Sequence, residues 1–357
     1  MKIKELETKV IPIRLNAPFK TALREVRAVN VVRVMIYFDN GLVGIGEATP
    51  SQAITGDTQE SITKAIEEVF RPFLLEKEID EKLEVLDEMK QLLKGNSSPK
   101  AAIDNAFFDA LAKKAKLPLY RYLSGDEKKL ETDFTISIAS REQMLTQAKQ
   151  KVTAGFKTLK IKLGLDPVEE EVAKLRSLND CFHGKIPFRI DANQGWTKEE
   201  AVQILDSWQD IPIEFVEQPV KAHDFEALKY VTDHTDIPIM ADESLFSFAD
   251  AKKLIDDHCC DLFNIKLMKS TGIKEGQAIA RLAKANGIDC MVGSMIEGYA
   301  GLAAAAHFAL STDAVRYYDL DVPFMWETKH LDSSIIGMQL SPGKLTLLDK
   351  PGLGINE

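Results

Sequence analysis

The sequence predicts an α/β fold: a modified (β/α)₈ barrel of the TIM type carrying an N-terminal α+β capping domain. Three observations predict it. From about residue 133, short apolar runs alternate with amphipathic helical stretches at intervals near 26 residues, the rhythm of repeated strand–helix units. Charged residues close those runs (TLKIK, FRID, EFVE, IMAD, FNIK) at Lys160 and Lys162, Asp191, Glu217, Asp242 and Lys266, in steps of 31, 26, 25 and 24 residues from Lys160. The first third of the chain has another pattern, alternating strands and then helices. A length of 357 residues suits this division, since a barrel takes about 250 residues and leaves room for a smaller unit.

Taken in order, KIKELETKVIPI alternates polar and apolar residues as an edge strand does. RAVNVVRVMIYFDNGLVGIGEA holds two alternating runs joined at Asp39-Asn40-Gly41, a hairpin turn. Residues 15–30 (LNAPFKTALREVRAVN) are polar and predict an irregular connection. From Thr58 the pattern turns helical in ESITKAIEEVFRPFLL, EKLEVLDEMKQLLKG and SPKAAIDNAFFDALAKKAK, the last with Ser98 as N-cap and Pro99 at the first helical position. These elements make residues 1–125 the capping domain.

Strands are then predicted near 133–138, 157–163, 187–191, 213–217, 237–241, 261–266, 288–293 and 315–320. The helical stretches between them include EEEVAKLRSL, KEEAVQILDSW, DFEALKYVTD, SFADAKKLIDD, GIKEGQAIARLAKANG and AGLAAAAHFALS. They assign residues 126–322 to the barrel. Past Pro323 the sequence is irregular, so an eighth helix is doubtful, and 323–357 is expected to pack back on the capping domain.

Hydrophobic residues make up 45% and charged residues 28% of the chain, enough for a large core. A formal charge of −10 argues against nucleic acid and against an anionic membrane surface as partners. No apolar run reaches 18 residues, and the N-terminus lacks the apolar core and cleavage site of a signal peptide. Cys181, Cys259, Cys260 and Cys290 have neither disulfide-framework nor CxxC spacing, as expected for reduced thiols in a cytoplasmic protein. A homo-oligomer is compatible with all of this.

Catalytic groups of such barrels lie at the C-terminal ends of the strands. Asp191, Glu217 and Asp242 end strands three, four and five, so they are neighbours on the rim. One acid there could serve as a helix N-cap, but three in succession repel one another unless a cation sits among them. Hard oxygen ligands without histidine or cysteine suit Mg²⁺, with Mn²⁺ as a replacement. Lys160 and Lys162 are two apart and face the same way, into the barrel. Their mutual repulsion is expected to depress their pKa values, which helps one act as a base. Lys266 stands across the mouth on strand six. A metal flanked by two lysines can support removal of a proton α to a carboxylate through an enediolate, with Lys162 and Lys266 as catalytic groups on opposite faces. The same residues could also expel a β-leaving group or drive a cycloisomerisation.

TLKIK (158–162), RIDANQGW (189–196), VEQP (216–219), MADES (240–244) and NIKLMKSTGI (264–273) resemble the enolase superfamily, specifically its muconate lactonising subgroup. The resemblance runs over essentially the whole chain. Strand seven ends in Gly293-Ser294, where the mandelate racemase branch would carry a histidine. Within the subgroup the chain is similar to the dipeptide epimerases. That implies inversion of the α-carbon of the C-terminal residue of L-Ala-L/D-Glu and related dipeptides, a small-molecule substrate from cell-wall peptide metabolism. The alternative is a cycloisomerase or an o-succinylbenzoate synthase-like enzyme using the same metal and lysines. By resemblance, Asp319 and Asp321 would bind the substrate ammonium and Arg24 the glutamate side chain. Thr135, Ser294 and Ile296 would line the pocket, and Lys160 would position the substrate carboxylate. Asn193 and Gln218 would support the metal ligands, and Glu297 to Tyr299 would tune the fit of side chains.

Overall fold

The computed structural model describes residues 1–327 and 332–356. The chain opens with three antiparallel strands, β1 (Ile3–Lys20), β2 (Glu25–Phe38) and β3 (Val43–Ala48), in the order β1-β2-β3. The turn between β2 and β3 is the expected one, with Gly41 at φ +80°. Residues 15–30 are not irregular, however. β1 and β2 continue as a ladder through Phe19↔Val26 and Lys20↔Glu25, beyond a register shift between Arg14 and Phe19. This part of the hairpin reaches past the core of its own sheet, which removes the one-sided burial that would have imposed period-two alternation.

Helical segments follow: α1 (Gln59–Lys64), a π-helical turn over Ala65–Phe70, α2 (Arg71–Leu74), α3 (Glu84–Lys90), α4 (Ser97–Ala115) and α5 (Leu119–Tyr122). Ser98 is not the N-cap of α4. Asn96 precedes the helix with φ 50°, and the Ser98 amide donates instead to Asp57 Oδ2 at 3.2 Å. The cap comes from a distant carboxylate, a contact that no local pattern displays. α4 is buried from Ser97 to Ala112 because it lies against β3. A Cβ on Gly44 or Gly46 would stand 2.2 Å from Ala106 O or 1.9 Å from Ala102 O, so glycine is what lets helix and strand approach.

After β4 (Lys129–Glu131) the barrel runs β5 (Phe134–Ile136), α6 (Arg141–Ala154), β6 (Leu159–Lys162), α7 (Val168–Phe182), β7 (Phe188–Asp191), α8 (Lys198–Asp206), β8 (Ile213–Glu217), α9 (Phe225–Asp233), β9 (Ile239–Ala241), α10 (Phe248–Asp256), β10 (Leu262–Ile265), α11 (Ile273–Ala285), β11 (Asp289–Gly293), α12 (Tyr299–Ala309) and β12 (Val315–Asp319). All eight strands are parallel in sequence order, a nearly closed barrel. Side chains close the seam: the Thr135 amide donates to Asp321 Oδ2 at 2.6 Å and the Leu320 amide to Thr132 Oγ1 at 2.9 Å. α6 buries only Met144 and Ala148, so its apolar period is faint; its signature is the capping box of Ser140 with Gln143.

Among the described residues no long helix follows β12. The chain makes a 3-10 turn (Val322–Phe324), a short α13 (Ser333–Ile336), β13 (Met338–Ser341) and β14 (Lys344–Leu347), and β14 pairs with β4. Parts of the predicted tail, 328–331 and 357, lie outside the described residues. The Leu353 amide returns to Asp109 Oδ1 on α4 at 2.8 Å.

Two carboxylates from the first unit cap barrel helices. Glu47 Oε2 accepts from the Ala300 and Gly301 amides at the start of α12, and Asp104 Oδ1 from the Ile273 and Lys274 amides at the start of α11. Helix N-termini offer unpaired N–H groups and positive dipole ends, so these contacts fix the cap over the barrel. Cys259, Cys260 and Cys290 are buried and all four cysteines are free. Among the described residues no helix is long and apolar enough to cross a membrane.

Candidate active site

Parallel pairing brings the charged strand ends together: Lys162 lies beside Asp191 and Asp191 beside Glu217 in register. Asp242 and Lys266 sit one residue beyond β9 and β10. Asp191, Glu217 and Asp242 are fully buried, and their carboxylate oxygens lie within 4.8 Å of one another. Lys160 Nζ is 2.6 Å from Glu217 Oε2, 2.6 Å from Asp319 Oδ2 and 3.1 Å from Asp191 Oδ2. Lys162 Nζ contacts Asp191 Oδ2 at 2.5 Å, and Lys266 Nζ contacts Asp242 Oδ2 at 2.6 Å. β6 and β10 stand four strands apart in an eight-stranded ring, so Lys162 and Lys266 face each other across the mouth.

The field of this cluster favours positive charge. Burial alone would lower the Lys160 ammonium, but Asp319, Glu217 and Asp191 raise it well above the ordinary lysine value. Burial opposes the Lys266 ammonium too, yet Asp242 and Glu217 raise it. The expected mutual depression of paired lysines therefore does not hold for Lys160, because acids surround it more closely than a second lysine does. Burial and the neighbouring Asp191 push the Glu217 carboxyl up to about 7. Glu217 Oε2 is buried and, although Lys160 Nζ is near, takes no directed hydrogen bond. Converging, buried, oxygen-only donors with an under-satisfied oxygen fit a hard divalent cation such as Mg²⁺.

Beside the cluster lies a cavity of about 560 Å³ including its open mouth. Its walls include nine of the expected residues: Arg24, Thr135, Lys162, Asn193, Lys266, Ser294, Ile296, Asp319 and Asp321. Lys160 and the three clustered acids lie behind that wall. The hairpin tip supplies Phe19, Leu23 and Arg24, which is why the extended β1–β2 ladder matters here. Arg24 is mostly buried, its guanidinium pKa lowered by desolvation, and no described residue pairs with its side chain. Asp321 is raised to about 7, chiefly by burial and then by Asp319.

Asn193 accepts from Lys162 Nζ at 3.1 Å and donates to Glu243 Oε1 at 3.1 Å. Gln218 Oε1 accepts from the Asp242 and Ser244 amides at 2.9 and 3.0 Å. Glu297 Oε1 takes the Met295 amide at 3.1 Å, bracing the loop that carries Ser294 and Ile296. Sequence reasoning missed Asn264, Lys269, Glu243, Ile54 and Met325. For Asn264 the signal was present in NIKLMK, where it alternates with Lys266, whereas Lys269 lies past the strand end, where no period sets its direction. Ile54 and Met325 reach the cavity from loops that carry no pattern.

Residues 5–124 match the family model described as mandelate racemase/muconate lactonizing enzyme, N-terminal domain, and residues 143–356 the one described as enolase C-terminal domain-like. The chain is 43% identical over 357 residues to L-Ala-D/L-Glu epimerase of Bacillus subtilis (strain 168), covering 99% of this chain and 97% of the relative. It is 40% identical to L-Ala-D/L-Glu epimerase of Clostridium acetobutylicum, covering 99% of each. Among solved structures, the dipeptide epimerase of Enterococcus faecalis V583, complexed with Mg and L-Leu-L-Tyr, superposes with a TM-score of 0.94 at 36% identity over 100% of both chains.

Proposed function

This chain belongs to the mandelate racemase/muconate lactonizing enzyme family of the enolase superfamily, and we propose from that premise that it is a Mg²⁺-dependent dipeptide epimerase. It inverts the α-carbon of the C-terminal residue of L-Ala-L/D-Glu and related dipeptides. One observation carries the substrate class: a single cavity holds two opposed lysines, a pair of carboxylates and a guanidinium without a partner among the described residues. A zwitterionic dipeptide with an acidic side chain matches that set of charges.

In this reading Asp191, Glu217 and Asp242 hold the metal. Bound there, Mg²⁺ supplies positive charge against the negative charge that develops on the substrate carboxylate. Lys160 steadies that carboxylate from the acid side of the cavity. One of Lys162 and Lys266, in its neutral form, takes the α-proton. The C–H electron pair moves into the carboxylate as an enediolate, and the ammonium of the opposite lysine returns a proton to the other face. The two lysines exchange protonation states in each turnover. Asp319 and Asp321 accept hydrogen bonds from the substrate ammonium, and Arg24 pairs with the side-chain carboxylate. Thr135, Ser294 and Ile296 shape the wall, and the extended hairpin tip covers it.

The cycloisomerase and o-succinylbenzoate synthase-like alternatives act on substrates without an ammonium, and give the Asp319 and Asp321 carboxylates no substrate cation to bind, beyond their contacts with Lys160 and the Thr135 amide. A dipeptide library incubated in D₂O with Mg²⁺ tests the choice. Deuterium should enter the C-terminal α-position of Ala-Glu and its relatives, and N-acetylation should reduce that entry at least tenfold. No exchange with any dipeptide, or equal exchange after acetylation, would count against the reading.

A further inference from the structure

Each of the clustered acids is held from outside through one oxygen. Asp191 Oδ1 accepts the Asn193 amide at 2.9 Å, Glu217 Oε1 accepts Asn264 Nδ2 at 2.7 Å, and Asp242 Oδ1 lies 2.5 Å from Lys269 Nζ. The remaining oxygens face lysine ammoniums, and Glu217 Oε1 also lies 3.7 Å from Lys266 Nζ. Lys160 Nζ reaches Asp191 Oδ2 and Glu217 Oε2, and Lys266 Nζ reaches Asp242 Oδ2.

We propose that Asn264 and Lys269 are positioning residues: with the Asn193 amide they pin the outer oxygen of each acid and leave three single oxygens for the divalent cation. The proposal rests on the metal reading above. Lys269 is 1% exposed, and its ammonium also contacts the backbone oxygens of Asp242 and Asn264, so one cation ties the ends of β9 and β10 together. An untethered carboxylate can rotate and present both oxygens to the ion. Mg²⁺ demands near-ideal octahedral geometry, and each chelating carboxylate removes a position that substrate or water needs. Pinning the outer oxygens would leave each acid a single oxygen to offer the ion. Room for the Asn264 side chain comes from Gly293, where a Cβ would stand 2.8 Å from Asn264 Oδ1.

Mn²⁺ titrations followed by electron paramagnetic resonance of the free ion test this without reference to turnover. Lys269→Met and Asn264→Leu should each weaken Mn²⁺ binding on the order of ten- to a hundredfold, the usual effect of removing a partner of a metal ligand. The sign is diagnostic for Lys269. If its ammonium acted only as a charge near the ion, removing it would tighten binding, and if it served only the fold, thermal stability would fall with affinity unchanged. Unchanged or tighter binding in a variant overturns the role of that residue. A crystal structure of the wild-type enzyme with Mg²⁺ gives a second reading that is independent of whether the variants fold. One oxygen from each acid, with Lys269 still on Asp242 Oδ1, supports the proposal, whereas a chelating Glu217 or Asp242 overturns it. Absence of Mn²⁺ binding in the wild type would overturn both this proposal and the metal reading.

Discussion

Arg24 illustrates how much one side chain decides. A guanidinium that is largely desolvated and without a partner among the described residues loses hydration and gains nothing until an anion arrives. Replacing it should therefore cost acidic substrates most. Arg24→Ala is expected to lower kcat/KM for Ala-Glu by about a hundredfold, as loss of a charge-assisted pair worth roughly 3 kcal/mol implies. Dipeptides with apolar C-terminal residues should be affected far less, and steady-state kinetics on both classes checks this. The residue was legible in sequence only through resemblance, because its own segment reads as an irregular loop. By contrast, Asp191, Glu217 and Asp242 announced themselves by position, each ending an apolar run of strand length. Lys269 was invisible for the opposite reason. It lies past a strand end, where no period constrains which way a side chain points, and only the fold shows it buried against Asp242.

At the scale of the element, β11 is shaped by what lies next to it. It ends in Gly293 beside the stem of Lys266, where a Cβ would come within 3.0 Å of Lys266 Cε. Gly293→Ala should therefore displace Lys266 together with Asn264, whose Oδ1 would stand 2.8 Å from the new Cβ, while the strand itself survives. A shift of about 1 Å at a reacting group can cost a hundredfold in rate, whereas overpacking costs roughly 1–3 kcal/mol of stability. We expect kcat to fall at least tenfold in a protein that still melts cooperatively, measured by steady-state rates and thermal unfolding. Barrel strands were readable because burial on both faces makes continuous apolar runs with a charged end. α6 and the outer end of the β1–β2 ladder, within residues 15–30, were not. The helix buries two residues, and the ladder extends beyond its own core, so neither carries the periodicity on which such reading depends.

The whole molecule depends on joining the first unit to the barrel, and buried titratable groups lie along that joint. His307 on α12 accepts the Tyr120 amide at Nδ1, and burial lowers its pKa to about 3. Unfolding returns it to the ordinary value near 6.5, so the unfolded chain binds the extra proton between these limits. The contribution of neutral His307 is present above about pH 6.5 and is lost as pH falls toward 3, at about 1.4 kcal/mol per pH unit. Asp104, raised to about 7 mainly by burial, works in the opposite direction, since its folded form keeps a proton that the unfolded form releases above about pH 4. Urea unfolding at pH 7.5 and 5.0 separates the two: His307→Gln should lose less stability on acidification than the wild type, by about 2 kcal/mol. The claim on which everything else depends is the pair of opposed lysines. It is tested most directly by following solvent deuterium into each diastereomer of Ala-Glu with Lys162→Ala and Lys266→Ala. The account predicts that both variants lose epimerisation, and that each still exchanges the α-proton of one diastereomer, a different one in each variant. Retained epimerisation in either variant, or the same exchange pattern in both, would contradict it.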